Sequence, residues 1–381
     1  CIHGQKIAFL GKGQQVYYTD TRKMLKCLVN FLALTIPLIS LLAWAKPAEH
    51  ARASNPASTA QAKQGANVIL VTLDGVRWNE FFEGPDPALA AGDQAATFPN
   101  FWSQLAAQGA VFGDTRKNGS FAVANPKILS LPAYHNIMAG ALRYCRDNNC
   151  GRISVETLPE RLARELDLPF GKVAVISSWH KIALAAQSQP NKIFVNAGLT
   201  PLADPTAPQI NDPELDRLNT EQAAQSLNGA RFDRFTWAQA MRYLKRHEPR
   251  FLWISLNDAD EWGHQGQYPA YLATLRWYDY WLRELVATLE KMGDYSSRAT
   301  IVMTTDHGRG NGREWKKHGG VSSAKRIWLY AKGPGITPVQ DEHQNTHSNI
   351  RATIEALFGL APCARCAAPM NPIALPANKS P

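Results

Sequence analysis

Ala299–Gly308, ATIVMTTDHG, is the stretch that decides the fold. Ala299 to Thr304 is apolar and β-branched without alternation, the pattern of a strand buried on both faces. It runs straight into Asp306-His307-Gly308. A carboxylate and an imidazole are thus delivered together at a strand's C-terminal end, the edge of an open α/β sheet where ligands bind. Within a strand the two side chains would point to opposite faces. On the following turn, beside a flexible glycine, both can converge on one cation.

Two other strands end the same way. Asn67-Val-Ile-Leu-Val-Thr-Leu is followed by Asp74-Gly75, and Phe251 to Leu256 by Asn257-Asp258-Ala259-Asp260-Glu261-Trp262-Gly263-His264. His318 follows in the loop after the third strand, in Lys316-Lys317-His318-Gly319-Gly320. Three carboxylates and three imidazoles are too many for one tetrahedral ion and suit two. Mixed oxygen and nitrogen donors favour zinc, with manganese second. Taken singly, Asp74 could be a helix cap, Asp260 a solvated acid and His318 a surface histidine. Their shared position at strand ends is what gives them weight.

The remaining pattern alternates. Helices are expected at Phe98–Gly109, within Asn125–Gly140, and at Glu156–Leu166, Phe235–Arg246, Pro269–Met292 and Asn349–Phe358. Strands are expected at 110–112, 172–177 and 326–331. Strands and helices at this spacing imply an α/β fold, a mostly parallel central sheet with helices on both faces. The Pro- and Asn-rich stretch 187–228 has weak periodicity and is expected as a small irregular cap insert.

The N-terminal part reads differently. Residues 1–23 lack periodicity and are expected to be upstream sequence ahead of a start at Met24. Residues 24–45 carry a basic start, an apolar run from Cys27 to Trp44 and Ala43-Trp44-Ala45, which fits a secretory signal peptide. An uncleaved membrane anchor is the competing reading, because the run is just long enough to span. Residues 46–65 form an Ala/Ser/Pro/Gln linker, leaving 66–381 as the catalytic domain. Loss of the leader removes five basic residues and one acid, so the formal charge of +9 falls to +5. That suits an anionic substrate without the clustered Lys/Arg of a nucleic-acid binder. A periplasmic or secreted location follows, in which Cys145/Cys150 and Cys363/Cys366 are expected as two disulfides. A zinc knuckle would need the Cys-x-x-Cys spacing twice, and only the second pair has it. Oligomeric state is not written in the chain.

In order and content these motifs resemble the alkaline phosphatase superfamily, particularly its type I phosphodiesterase/nucleotide pyrophosphatase branch. The matching pieces are NVILVTLD74G, S130LPAYHNIMAG140, D260EWGH264, TD306H307G, H318G and the IWLYAKGPG run to Gly335, together with Trp277-Tyr278-Asp279. The resemblance spans about residues 66–360. It implies one metal on Asp260, His264 and His318, and a second on Asp74, Asp306 and His307, bridged by Ser130. His347 competes with His318 for its place, and Asp258 less well with Asp260. It also makes Ser130 the nucleophile, where sequence pattern alone would leave an ordinary serine at or near a helix N-cap. Asn125, Lys127 and Arg309 are candidates for holding a substrate oxygen.

The implied activity is a two-zinc phosphoric ester hydrolase, monoesterase or diesterase, working through a phosphoseryl intermediate on a small-molecule phosphate ester. Sulfatases of the superfamily convert the Cys or Ser of C/S-x-P-x-R to formylglycine. Here Tyr134 stands where that arginine would be, which argues for plain serine and phosphate chemistry. A sulfatase, a phosphotransferase or mutase, and a non-catalytic metal-dependent binding protein are the alternatives. Trp78, Phe81, Phe82, Trp179 and Trp262 are candidate walls for an apolar pocket, although a buried core would use the same residues.

Overall fold

The computed structural model describes residues 65–371, apart from 144, 200–207, 209 and 223–225. The expected upstream extension, signal peptide and most of the linker lie outside the described residues. Among the described residues no helix is long and apolar enough to cross a membrane.

An eight-stranded sheet forms the centre: β1 (Asn67–Leu73), β2 (Ala110–Phe112), β3 (Val173–Ser177), β4 (Phe194–Ala197), β5 (Phe251–Leu256), β6 (Ala299–Thr304), β7 (Leu329–Lys332) and β8 (Val339–Gln340). Their spatial order is β8-β2-β7-β6-β1-β5-β3-β4. β6, β1, β5, β3 and β4 are all parallel, whereas β7 runs antiparallel to both β6 and β2. The central strands have no polar face to offer water. Ile69, Val71 and Leu73 enter the hydrophobic core on one side of the sheet, and Val68 and Leu70 enter the core on the other. This is the period-two alternation of a strand covered on both faces.

Among the described residues the helices of eight residues or more are α1 (Ser130–Ala139), α2 (Leu158–Glu165), α3 (Pro213–Gln222), α4 (Asp233–His247), α5 (Asp258–Gln265), α6 (Tyr268–Leu289) and α7 (Ser348–Leu357). Local chemistry explains several of their ends. Thr157 and Glu160 form a reciprocal capping box at the start of α2. α1 stops at Gly140, whose φ of 70° is the left-handed conformation of a helix terminus.

Register places the site. β1 pairs Leu73 with Leu256 of β5 and Thr72 with Thr304 of β6. The three chains therefore leave the sheet level with one another, and the Asp74 amide still donates to the Leu256 carbonyl at 2.9 Å.

Three expectations need correction. Phe98–Gly109 is a five-residue π turn, Phe101–Leu105, followed by a 3-10 turn, Ala106–Gln108. Its start is held from outside, by the buried Asp279 carboxylate accepting from the amides of Asn100 and Phe101. Its end is set by Gly109, where any Cβ would run into the Ala331 carbonyl of β7. The single strand expected at 326–331 is broken at Trp328. Arg326–Ile327 joins a small sheet with Ser120–Ala122 and Gln344–Thr346, and the Trp328 ring stacks on Phe81 at 3.7 Å. The stretch 187–228 is also more than a cap, since it supplies β4, the edge strand of the main sheet, and then α3. Four residues are too few to show a strand period.

Candidate metal centre

Each strand end presents its side chain through a local device. Gly75 follows Asp74 with φ 69°, and a Cβ there would collide with the Asp260 carboxylate, so the turn admits only glycine. The Gly75 amide donates to Asp306 Oδ1 at 3.1 Å and the His307 amide donates to it at 2.8 Å. Asp260 lies in the first turn of α5 and His264 one turn later, so the two share a helix face and approach to 3.0 Å.

The outcome is two triads. In each of Asp74/Asp306/His307 and Asp260/His264/His318, one donor atom per residue lies within 4.8 Å of the other two. The His307 and His318 rings stack at 3.8 Å and join the triads. His307 Nδ1 donates to the Gly308 carbonyl at 2.9 Å, and His318 Nδ1 donates to the Ile128 carbonyl at 2.8 Å. Each ring therefore turns a bare Nε2 lone pair into the site, the outer-shell arrangement that metal-binding imidazoles use. His318 Nε2 lies 3.2 Å from His264 Nε2.

Charge balance points the same way. Burial, then the neighbouring Asp306 and Asp260 charges, push the Asp74 carboxyl well above the usual range. Burial and Asp260 push Asp306 up to about 8. Burial and the adjacent His318 push His307 well below its ordinary value, so its ring is neutral. Burial also pushes Asp260 upward, but the Arg309 guanidinium and His264 outweigh it and hold Asp260 ionised. Asp306 Oδ2 is buried without a hydrogen-bond donor. Buried carboxylates, neutral imidazoles and an orphaned oxygen are what divalent cations satisfy, so the residues fit the implied metals.

Ser130 is the first residue of α1, one place inside the Leu129 N-cap, and is buried. Its Oγ lies 3.5 Å from Asp74 Oδ1 and 3.2 Å from His307 Nε2, in contact with the first triad. Tyr134, one turn along α1, donates its hydroxyl to Asp74 Oδ2 at 3.1 Å. Sequence reasoning weighed Tyr134 only as a missing arginine. Its i+4 spacing from Ser130 was the available signal.

Other candidates take different places. Arg309 is buried, with its guanidinium bound to Asp260 and to the carbonyls of Trp315 at 2.8 Å and Lys316 at 2.7 Å. It holds the candidate ligand Asp260 and has little left for a substrate oxygen. Asn125 is buried and accepts from Asn136 at 3.1 Å, while Lys127 is exposed. Neither is hydrogen-bonded to Ser130 or to the six acids and histidines. His347 sits beneath the site and donates Nε2–H to the Thr305 carbonyl at 3.0 Å. Asp258 turns away to the amide of Asp233 at 3.2 Å. Trp78, Phe81 and Phe82 are core residues, and Trp179 and Trp262 are half-buried. Both cysteine pairs are disulfides, Cys145–Cys150 and Cys363–Cys366. The nearby Glu355/Cys363/Cys366 group is accordingly no metal site, because its sulfurs are bonded to each other.

This sheet is an alkaline phosphatase-like α/β fold, shared with a solved protein in the alkaline phosphatase superfamily from Vibrio parahaemolyticus. Residues 160–337 match the type I phosphodiesterase / nucleotide pyrophosphatase family. A phosphopentomutase of Erwinia tasmaniensis is 33% identical over 103 residues, 27% of this chain and 23% of that protein. The match thus spans about a quarter of that relative's length. The lipoteichoic acid synthase LtaP from Listeria monocytogenes shares the fold with a TM-score of 0.56 at 13% identity, over 81% of this chain and 76% of that one. The phosphonate monoester hydrolase of Agrobacterium radiobacter does so with 0.52 at 15%, over 78% and 74%. At such identities the two structural likenesses concern the fold alone.

Proposed function

We propose that the protein is an exported, two-metal phosphoric ester hydrolase whose nucleophile is Ser130. One observation carries this: a buried serine hydroxyl in contact with one Asp/His triad, with a second triad stacked against the first. Asp74, Asp306 and His307 would hold one cation, and Asp260, His264 and His318 the other, zinc being the first choice. When bound, such cations neutralise phosphoryl oxygens and favour the ionised form of a neighbouring hydroxyl.

The chain's own residues do the rest. Ser130 Oγ attacks phosphorus, its bond to phosphorus forms, and the ester P–O bond breaks to release the alcohol. Water then attacks the phosphoseryl phosphorus and the Ser130 Oγ–P bond breaks. A proton from that water regenerates the serine hydroxyl, releasing inorganic phosphate from a monoester or a phosphate monoester from a diester. Tyr134 and the Gly75 amide keep Asp74 and Asp306 aimed throughout. With Tyr134 bound to Asp74, the position four residues after Ser130 has no guanidinium to offer, which disfavours sulfatase maturation. The two disulfides support export.

The test combines metal analysis with turnover of aryl phosphate mono- and diesters and an aryl sulfate. About two equivalents of metal, phosphate ester turnover lost to a chelator, and a trapped phosphoserine at Ser130 are expected. Full hydrolysis by Ser130→Ala, or turnover confined to the sulfate, would overturn the assignment.

A further inference from the structure

α1 begins with an N-terminus it does not cap itself. Its N-cap is Leu129, which has no polar side chain to offer. Pro132 has no amide hydrogen, and the Ala133 amide is already spent on the Leu129 carbonyl at 3.1 Å. The Leu131 amide, next to Ser130, instead donates to Asn148 Oδ1 at 2.9 Å. Asn148 is not on the helix. It sits at the tip of the loop closed by the Cys145–Cys150 disulfide.

That loop is built to hold one shape. The Asn149 amide donates to Asp147 Oδ1 at 2.7 Å inside it. Lys181, from the segment after β3, donates Nζ–H to the Asn148 carbonyl at 2.6 Å and to Asn149 Oδ1 at 3.4 Å. The far end of α1 is gripped by the other disulfide. A Cβ on Gly140 would run into Cys366 Sγ, and the Ala367 amide donates to the Gly140 carbonyl at 3.1 Å.

We propose that Asn148, presented by the Cys145–Cys150 loop, is a positioning residue for the Ser130 hydroxyl, fixing the first turn of α1 by capping Leu131 from outside the helix. This rests on Ser130 being the nucleophile. Asn148 touches neither Ser130 Oγ nor the triads among the contacts of the described residues, so it acts through the backbone. Losing the cap lets the first turn fray, and the hydroxyl then spends less time in line with phosphorus.

The experiment compares Asn148→Ala, Asn148→Asp, the pair Cys145→Ser/Cys150→Ser and the control pair Cys363→Ser/Cys366→Ser, each in the full zinc-loaded protein with an aryl phosphate. Asn148→Ala is expected to lower kcat about three- to tenfold, the size of a lost helix cap, with KM and metal content unchanged. Single-turnover formation of phosphoserine slows by the same factor. Asn148→Asp keeps the acceptor and restores the rate. The first cysteine pair reproduces the Asn148→Ala loss, and the second lowers the melting temperature without it. Unchanged kcat in Asn148→Ala, a fall accompanied by metal loss, failure of Asn148→Asp to rescue, or an equal fall in the control pair would each overturn the proposal. If Cys145→Ser/Cys150→Ser does not fold, the two Asn148 variants decide alone. Ser130→Ala separates the two failures: inactive Ser130→Ala with normal Asn148→Ala removes only the positioning role, whereas active Ser130→Ala removes the nucleophile and this proposal with it.

Discussion

Glycine 263 has no side chain, yet a Cβ at its position in α5 would strike the Arg309 guanidinium that holds Asp260. Gly263→Ala should displace that arginine, and loss of an outer-shell partner of this kind weakens metal binding by about 10- to 100-fold. Competition against a chelator of known affinity measures this, and unchanged affinity would mean the arginine is dispensable. Histidines are separated by the same assay. His318→Ala should release about one equivalent of metal, since its Nε2 completes the second triad. His347→Ala should keep both equivalents, because that ring is spent on the Thr305 carbonyl. Spacing in the chain left these two histidines in competition. What separates them is which carbonyl each ring meets.

Between elements, the contact that sets α5 is a pair of carboxylates. Asp233 at the start of α4 accepts from the amides of Asn257 and Asp258 at 2.8 Å, and Asp258 accepts from the Asp233 amide at 3.2 Å. Each helix thus caps the other, and α5 is aimed with its two candidate metal ligands, Asp260 and His264. Burial and the Asp233 charge push the Asp258 carboxyl up to about 9, far above its value of about 3.9 in an unfolded chain. The folded state holds this proton more tightly. The stability it contributes is fully present below about pH 4 and is lost as pH rises through about 9. Asp258→Asn keeps an acceptor and removes the titration, so its melting temperature should fall less between pH 5 and pH 9 than that of the unmodified protein. Parallel pH profiles would count against the pair. α4 was legible in the sequence as an element, but α5 was not, since Asp258–His264 reads there only as the segment into which a strand runs. Their mutual capping was not legible either, because Asp233 and Asp258 are 25 positions apart and Asp258 enters the sequence reading only as a rival ligand to Asp260.

At the scale of the molecule, three buried carboxylates meet at one sheet edge, and a cation held there would tie folding to metal. Without a cation, Asp306 titrates near 8 and is protonated at neutral pH. A metal must displace that proton, so affinity should rise with pH and level off above about 8. The metal-free protein meanwhile loses stability as pH rises through the same range, because the folded state gives up its tighter hold on the proton. Melting with and without chelator at pH 6, 7 and 8 should therefore show a gap that widens with pH. A gap of constant size would place the proton elsewhere.

The sequence by itself determined the strands and what they end in. Apolar runs long enough to be buried on both faces stop at Asp74, at Asn257-Asp258-Ala259-Asp260 and at Asp306-His307, and that local pattern needs no distant partner to be read. It also offered Ser130 as a candidate nucleophile, through likeness to a family, and paired the cysteines by proximity. Tertiary structure decided what adjacency in the chain cannot express. β1 between β5 and β6 in level register brings the three acids together, and packing turns Arg309 inward to Asp260 while Asn148 reaches Leu131. The physical reason is the range of the interactions. Propensity and alternation act over a few residues, whereas a buried charge or an uncapped amide takes whatever partner the fold carries to it.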